Sequence, residues 1–115
     1  MNETIGKPSV SAAFDNGKLR LSLVGEIDHH SAREIREEMD RAIFLYKPLT
    51  VSVDLGKVSF MDSAGLGLLM GRFNTASEIG AVLSVRSPSE QILRIMKMSG
   101  MDRVISVLRE PETNQ

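Results

Sequence analysis

The sequence predicts an α/β fold, a mixed β-sheet with helices packed against it, in a single domain covering residues 1–115. Three observations predict it. Two strand-like segments flank Asp15-Asn16-Gly17, which supplies the positive φ angles of a tight hairpin turn. After that hairpin, stretches of helical period alternate with short apolar runs, the pattern of strands joined by helical crossovers. The run Leu49 to Leu55 follows Pro48, is rich in β-branched residues, and is short enough to be a buried, parallel-paired central strand.

The elements justify themselves in order. Ser9 to Phe14 and Lys18 to Ile27 read as the hairpin strands; in the second, Leu19, Leu21 and Leu23 alternate with Arg20, Ser22 and Val24, the period of two of a half-buried strand. From Ser31 to Tyr46, Ala32, Ile35, Met39, Ala42, Ile43 and Tyr46 recur at three- and four-residue intervals, and Arg33, Glu34, Arg36, Glu37, Glu38 and Arg41 cover the other side. Ser31 and Glu34 are spaced for a capping box, and Pro48 ends that helix. A second helix over Ser63 to Ile79 presents Leu66, Leu69, Met70, Phe73 and Ala76, with Gly80 as its terminator. Ala81 to Arg86 is the next strand. Ser87, Pro88 and Glu90 supply cap, first-turn proline and capping-box acid for a third helix carrying Ile92, Ile95 and Met96, closed by Gly100. Val104 to Leu108 adds a last short strand, and residues 110–115 read as a polar tail. The helices are expected against one or both faces of the sheet. Leu21, Leu23, Val51, Val53, Leu69, Phe73, Ile92 and Ile95 are the expected core.

Composition bounds the function. With 14 basic and 15 acidic residues in 115, the formal net charge is −1, which offers no general attraction for nucleic acid or anionic lipid. The absence of cysteine removes disulfides, thiolate nucleophiles and cysteine-built zinc sites. No stretch approaches the ~20 apolar residues that span a bilayer. These features fit a cytoplasmic protein with no cofactor and neither nucleic acid nor membrane as a direct partner.

Chemistry concentrates in the stretch from Val58 to Gly71, where Gly65, Gly67 and Gly71 fall in a segment that must become a helix, although glycine costs ~1 kcal/mol there relative to alanine. Gly65 suits close approach of a partner or phosphate at the helix start, and Gly67 and Gly71 suit tight packing on the sheet. The spacing matches neither a dinucleotide fingerprint nor a Walker loop, and Met61 stands where a hydrolase elbow wants glycine. Asp62 or Ser63 can cap the helix. Composition also permits a triad of Ser63, His29 or His30, and Asp28, but adjacent histidines on a chain entering a helix point in different directions.

Three blocks carry a resemblance to a known family. Leu23-Val24-Gly25-Glu26-Ile27-Asp28-His29-His30-Ser31-Ala32, then Ser59-Phe60-Met61-Asp62-Ser63-Ala64-Gly65-Leu66-Gly67, then Lys97-Met98-Ser99-Gly100-Met101 closely resemble the anti-sigma factor antagonists, which are single STAS domains. The paired histidines and the Phe-Met-Asp-Ser stretch look like the sporulation branch, which controls the first forespore sigma factor. The resemblance implies a STAS-like mixed sheet and a regulatory protein rather than an enzyme. It implies phosphorylation of the serine after the motif aspartate, here Ser63, by an anti-sigma factor with serine kinase activity, and resetting by a serine phosphatase. The family often carries a second hydroxyl next; this chain has Ala64, so Ser63 is the only hydroxyl following Asp62 in the motif. Asp28, His29, His30, Asp62, Ser63, Ala64, Gly65, Leu66 and Gly67 are the expected partner-binding residues. Other readings of the same residues are a STAS domain binding a nucleotide or small anion, or serving in a stress-signalling assembly, and a minimal serine hydrolase.

Overall fold

A strand, a helix and a parallel strand nearly always join with a right-handed crossover, and three crossovers advancing the same way decide where each helix of this protein lies. The computed structural model describes residues 8–109. Its elements are β1 (Ser9–Asp15), β2 (Lys18–Ile27), α1 (Ala32–Tyr46), β3 (Thr50–Met61), α2 (Ser63–Glu78), β4 (Val82–Arg86), α3 (Glu90–Ser99), a 3₁₀ turn (Met101–Arg103) and β5 (Ser106–Leu108). The tail read over residues 110–115 lies outside the described residues.

The strands stand in the sheet in chain order, with β1 antiparallel to β2 and every later pair parallel. Because each crossover steps one strand onward, the helices collect on one face. Leu19, Leu21 and Leu23 of β2, Val51, Val53 and Leu55 of β3, and Leu83 and Val85 of β4 are buried there in one cluster with Ile35, Met39 and Ile43 of α1, Leu69 of α2, and Ile92 and Met96 of α3. On the opposite face Arg20 is exposed, and Ser22, Ser52, Asp54, Ser84 and Arg86 are half-buried. Sequence left open whether one face or both would be covered, since period-two patterning marks an apolar face without saying what covers it.

The hairpin forms as expected: Asp15 pairs with Lys18, leaving Asn16 and Gly17 as a two-residue loop at φ 54° and 77°, the left-handed pair of a type I′ turn. Other local expectations need correction. β3 does not stop at Leu55 but runs to Met61. It holds two more residues than the stretch of β2 beside it, with register shifts after Ser22 and Gly25. These bulges break the alternation that would have revealed the strand's length. Ser31 forms no capping box, because its hydroxyl accepts from the Asp28 N–H at 3.1 Å and turns toward the Glu26 carbonyl at 3.2 Å. α3 is capped by Ser89, which accepts from the Ile92 N–H at 3.2 Å. Ser87 and Pro88 precede the helix, since proline disfavours the helical region for the residue before it and Ser87 adopts φ 54°.

In α2 the buried positions are Gly65, Leu68, Leu69, Arg72 and Ala76. Leu66, Met70 and Phe73 pack against the core only in part. The helix touches both the sheet and α1, so its covered arc is wider than one apolar stripe and its centre is shifted. Ile95 is likewise half-buried, whereas the other expected core residues are buried. Leu69→Ala should therefore cost about 2–5 kcal/mol, and Phe73→Ala, an equally drastic truncation on paper, should cost less. Urea melts of the two variants check the order; a larger loss at Phe73 would contradict the placement of α2.

Candidate functional site

Parallel pairing brings the carboxyl ends of neighbouring strands together, and in α/β sheets that edge is where sites form. Here Ile27 pairs with Met61 at the ends of β2 and β3. The Asp62 N–H then donates to the Ile27 carbonyl at 3.3 Å. Two loops far apart in sequence, Asp28-His29-His30 and Asp62-Ser63, are thereby set side by side.

Each loop is held by an aspartate. Asp28 Oδ1 accepts from the N–H groups of His30 at 2.9 Å and Ser31 at 3.1 Å, and its carbonyl accepts from Ser31 and Ala32. Asp28, not Ser31, thus organises the start of α1. Desolvation acts to raise the Asp28 pKa, but the backbone N–H groups of Ser31 and His30, the His30 charge and the Ser31 hydroxyl outweigh it and hold the carboxyl below its ordinary value. Asp62 is extended and caps α2, with Oδ1 accepting from the Ala64 N–H at 2.9 Å and its carbonyl accepting from Gly65 and Leu66. Ser63 is the first residue of the helix and is exposed. Its N–H finds no acceptor among the described residues.

Of the expected partner-binding residues, Asp28, His29, His30, Asp62 and Ser63 lie at this junction, Ala64 and Gly67 line the groove beside it, Gly65 is buried and Leu66 is half-buried against the core. His29 Nδ1 is 3.6 Å from Asp62 Oδ2, His30 Nδ1 is 3.9 Å from Asp28 Oδ2, and the two rings lie 3.9 Å apart. Neither imidazole is hydrogen-bonded to the Ser63 hydroxyl, so the nucleophile–base contact of a triad is not assembled. No group of three metal-ligating side chains forms among the described residues, and no helix among them is long and apolar enough to cross a membrane.

The glycines reverse their expected roles. Gly65 is the packing glycine: a Cβ there would overlap the Met61 side chain and lie 3.3 Å from the Ile27 carbonyl. Gly67 and Gly71 have nothing within 4 Å of that position. They floor a groove of about 410 Å³ between α1 and α2, lined by His29, Arg33, Arg36, Ala64 and Arg72 among others. A larger depression of about 480 Å³ lies on the open sheet face around Ser22, Asp54 and Lys57, away from Ser63. Sequence missed the groove because Arg33 and Arg36 read as an ordinary solvated face and nothing local couples Arg72 to Asp40. The Arg72 guanidinium is buried, with Nε 2.8 Å from Asp40 Oδ1. That approach is off the N–H axis, since neither atom completes a hydrogen bond.

The domain is thus a mixed sheet with three helices on one face, with a capped, exposed serine at the start of the second helix in a loop cluster at the carboxyl ends of β2 and β3. The chain belongs to the STAS domain family, whose pattern matches residues 9–113. It is 32% identical over 91 residues to the anti-sigma F factor antagonist of Paenibacillus polymyxa, covering 79% of this chain and 78% of the relative. It is 27% identical over 104 residues to the anti-sigma-B factor antagonist of Bacillus subtilis, covering 90% and 94%. Among solved structures it is similar to the anti-sigma factor antagonist SpoIIAA in its unphosphorylated form, with TM-score 0.76, 26% identity and 90% of each chain covered. The phosphorylated form of the Bacillus cell fate determinant SpoIIAA matches at TM-score 0.70 and 26% identity, over 90% of this chain and 93% of that one.

Two measurements test the local geometry. Because the Asp28 carboxyl is held below its ordinary pKa in the folded state, its stabilisation is complete above about pH 4 and is lost as pH falls through the lower folded value. Asp28→Asn should therefore flatten the stability–pH curve in that acid window, as read from melts between pH 2 and 5 (roughly); an unchanged slope would mean the carboxyl is not so held. In the glycine pair, Gly65→Ala should destabilise by about 1–3 kcal/mol through overpacking. Gly71→Ala should stabilise by about 0.5–1 kcal/mol, and thermal melts showing the same sign for both would reject the two assignments.

Proposed function

We propose that this protein is an anti-sigma factor antagonist switched by phosphorylation of Ser63. In its unphosphorylated form it binds an anti-sigma factor with serine kinase activity and displaces the sigma factor. Phosphorylation by that kinase weakens the complex, and a separate serine phosphatase restores the binding form. The sporulation sigma factor is the favoured target, given the anti-sigma F antagonist relatives, and the setting is the cytoplasm. The observation that carries the reading is the exposed Ser63 at the first position of α2, beside the Asp62 cap and the Asp28-His29-His30 loop.

The physical mechanism is local. A phosphoserine adds roughly −1.5 to −2 charges, and a helix N-terminus tolerates anionic charge because its first N–H groups point outward. Asp62 already uses the Ala64 N–H, which leaves the Ser63 N–H as a free donor beside the modified oxygen. The fold need not change. What changes is the surface over Ser63, Ala64 and Gly67, where a partner would have to desolvate a new charge set against the Asp62 carboxylate. The Asp28-His29-His30 loop then forms the rim of the contact.

Ser63→Ala and Ser63→Asp should act in opposite directions on partner binding while both stay folded. Alanine keeps the surface neutral, binds the anti-sigma factor and accepts no phosphate. Aspartate weakens the complex, though less than phosphate does, because its charge is smaller. Each variant is incubated with the purified anti-sigma factor and ATP, phosphate transfer is followed by intact mass, and complex formation is measured by titration. Phosphate found at another residue, or equal affinities for the alanine and aspartate variants, would sink the charge switch.

A further inference from the structure

Gly67 and Gly71 sit inside a 16-residue helix, where each costs ~1 kcal/mol relative to alanine. Nothing among the described residues explains them, because a Cβ at either position would meet open space. The groove they floor also contains a buried donor. Arg72 is 7% exposed, and its Nη1 has no hydrogen-bond partner among the described residues. Buried donors left unmade are costly; the Arg72 side chain borders the cleft, with Nη1 itself closed off from solvent.

The charges around the groove do not cancel. Arg33 lies 3.6 Å from Glu37, and Arg72 meets Asp40. Arg36 is exposed and is in no ion pair among the described residues. Burial works against the Arg72 charge, Asp40 supports it, and Arg36 opposes it again, so the two guanidinium groups repel across a cleft with one cation in excess. The domain as a whole carries −1; the groove is a local exception.

Shape narrows the occupant. Ala64, Gly67 and Gly71 fall on successive turns of one helix side, so the groove follows α2 for about 10 Å at 1.5 Å per residue, starting beside Ser63. Such a length with a glycine floor admits a polypeptide segment lying close to the helix backbone. A terminal phosphate would bring roughly −2 charges to a site with an excess of about one, whereas one carboxylate matches the one exposed guanidinium, Arg36, that has no ion pair among the described residues. We infer that the groove between α1 and α2 is a second part of the docking surface and receives an acidic segment of the anti-sigma factor, one carboxylate of which pairs with the exposed Arg36, the buried Arg72 charge beside it adding to the attraction. This rests on the partner reading given above and extends the contact from the switch serine along α2.

The test uses the purified full chain and its anti-sigma factor, titrated calorimetrically with wild type, Ser63→Asp, Arg36→Lys, Arg36→Glu and Gly71→Leu. Arg36 is exposed and Gly71 borders open space, so both sites tolerate substitution, and a thermal melt confirms folding. Arg36→Glu and Gly71→Leu should each weaken the complex at least about tenfold, one by charge and one by filling the cleft, while Arg36→Lys stays within about threefold. Separately, amide shifts are followed in the free protein with inorganic phosphate and with ATP. If wild type binds, Ser63→Asp weakens binding, and the two groove variants bind like wild type, the groove inference fails and the switch reading survives. If wild type binds no anti-sigma factor, both fail. Saturable shifts at Gly67 and Gly71 with phosphate or ATP would overturn the acidic-segment assignment in favour of a small-anion site.

Discussion

The parallel register between β2 and β3 is the constraint on which the rest of the molecule depends. Ile27 beside Met61 ends two strands at the same level, and each strand leads directly into the loop that starts a helix. A one-residue slip would turn the alternating core residues of either strand to the other face, and it would also part Asp28 from Asp62. The bulges in β3 absorb two extra residues without losing that end alignment. Buried Val58 and Met61 continue the core beyond Leu55, which brings the chain to Asp62 at the height where the Ile27 carbonyl can receive its N–H.

From that alignment the surface around Ser63 acquires its character. Asp28 and Asp62 each spend a carboxylate oxygen on backbone N–H groups, so both loops are held by short hydrogen bonds within the chain rather than by the core. Ser63 carries no structural duty comparable to theirs: its side chain makes no hydrogen bond among the described residues. A residue that is exposed, held in place by its neighbours and free of packing obligations can change charge without refolding the domain. The packing demand falls instead on Gly65, two residues further on, which must let Met61 and the Ile27 backbone approach.

The glycines and arginines of α2 follow from the same placement. All helices lie on one face because the crossovers advance in one direction, so α1 and α2 are neighbours and share a seam. Aliphatic residues close the sheet side of that seam, and Arg72 with Asp40 occupies its outer part. A buried ion pair with an off-axis contact is a poor stabiliser, since desolvation of both charges offsets much of their attraction. It stands beside Gly67 and Gly71, with Arg36 also lining the groove, so the groove carries one cation in excess among the described residues.

Much of this was legible in the chain itself. The hairpin at Asn16-Gly17, the three helices, the α/β class, the helix start at Ser63 and a cap at Asp62 or Ser63, which the structure settles on Asp62, all follow from spacing, because those features depend on residues within a turn or a strand of one another. The three motif blocks likewise pointed to the family and to the cluster around Asp28 and Asp62. Tertiary structure alone decided the length of β3, the single covered face, the capping roles of Asp28 and Ser89, and the half-burial of Phe73 and Ile95. It also assigned tight packing to Gly65 and open space to Gly67 and Gly71, and it joined Asp40 to Arg72. The physical reason is common to these cases: a local pattern states which residues seek burial or a hydrogen bond, but bulges, the crossover direction and competing partners from distant segments determine which of them obtain it.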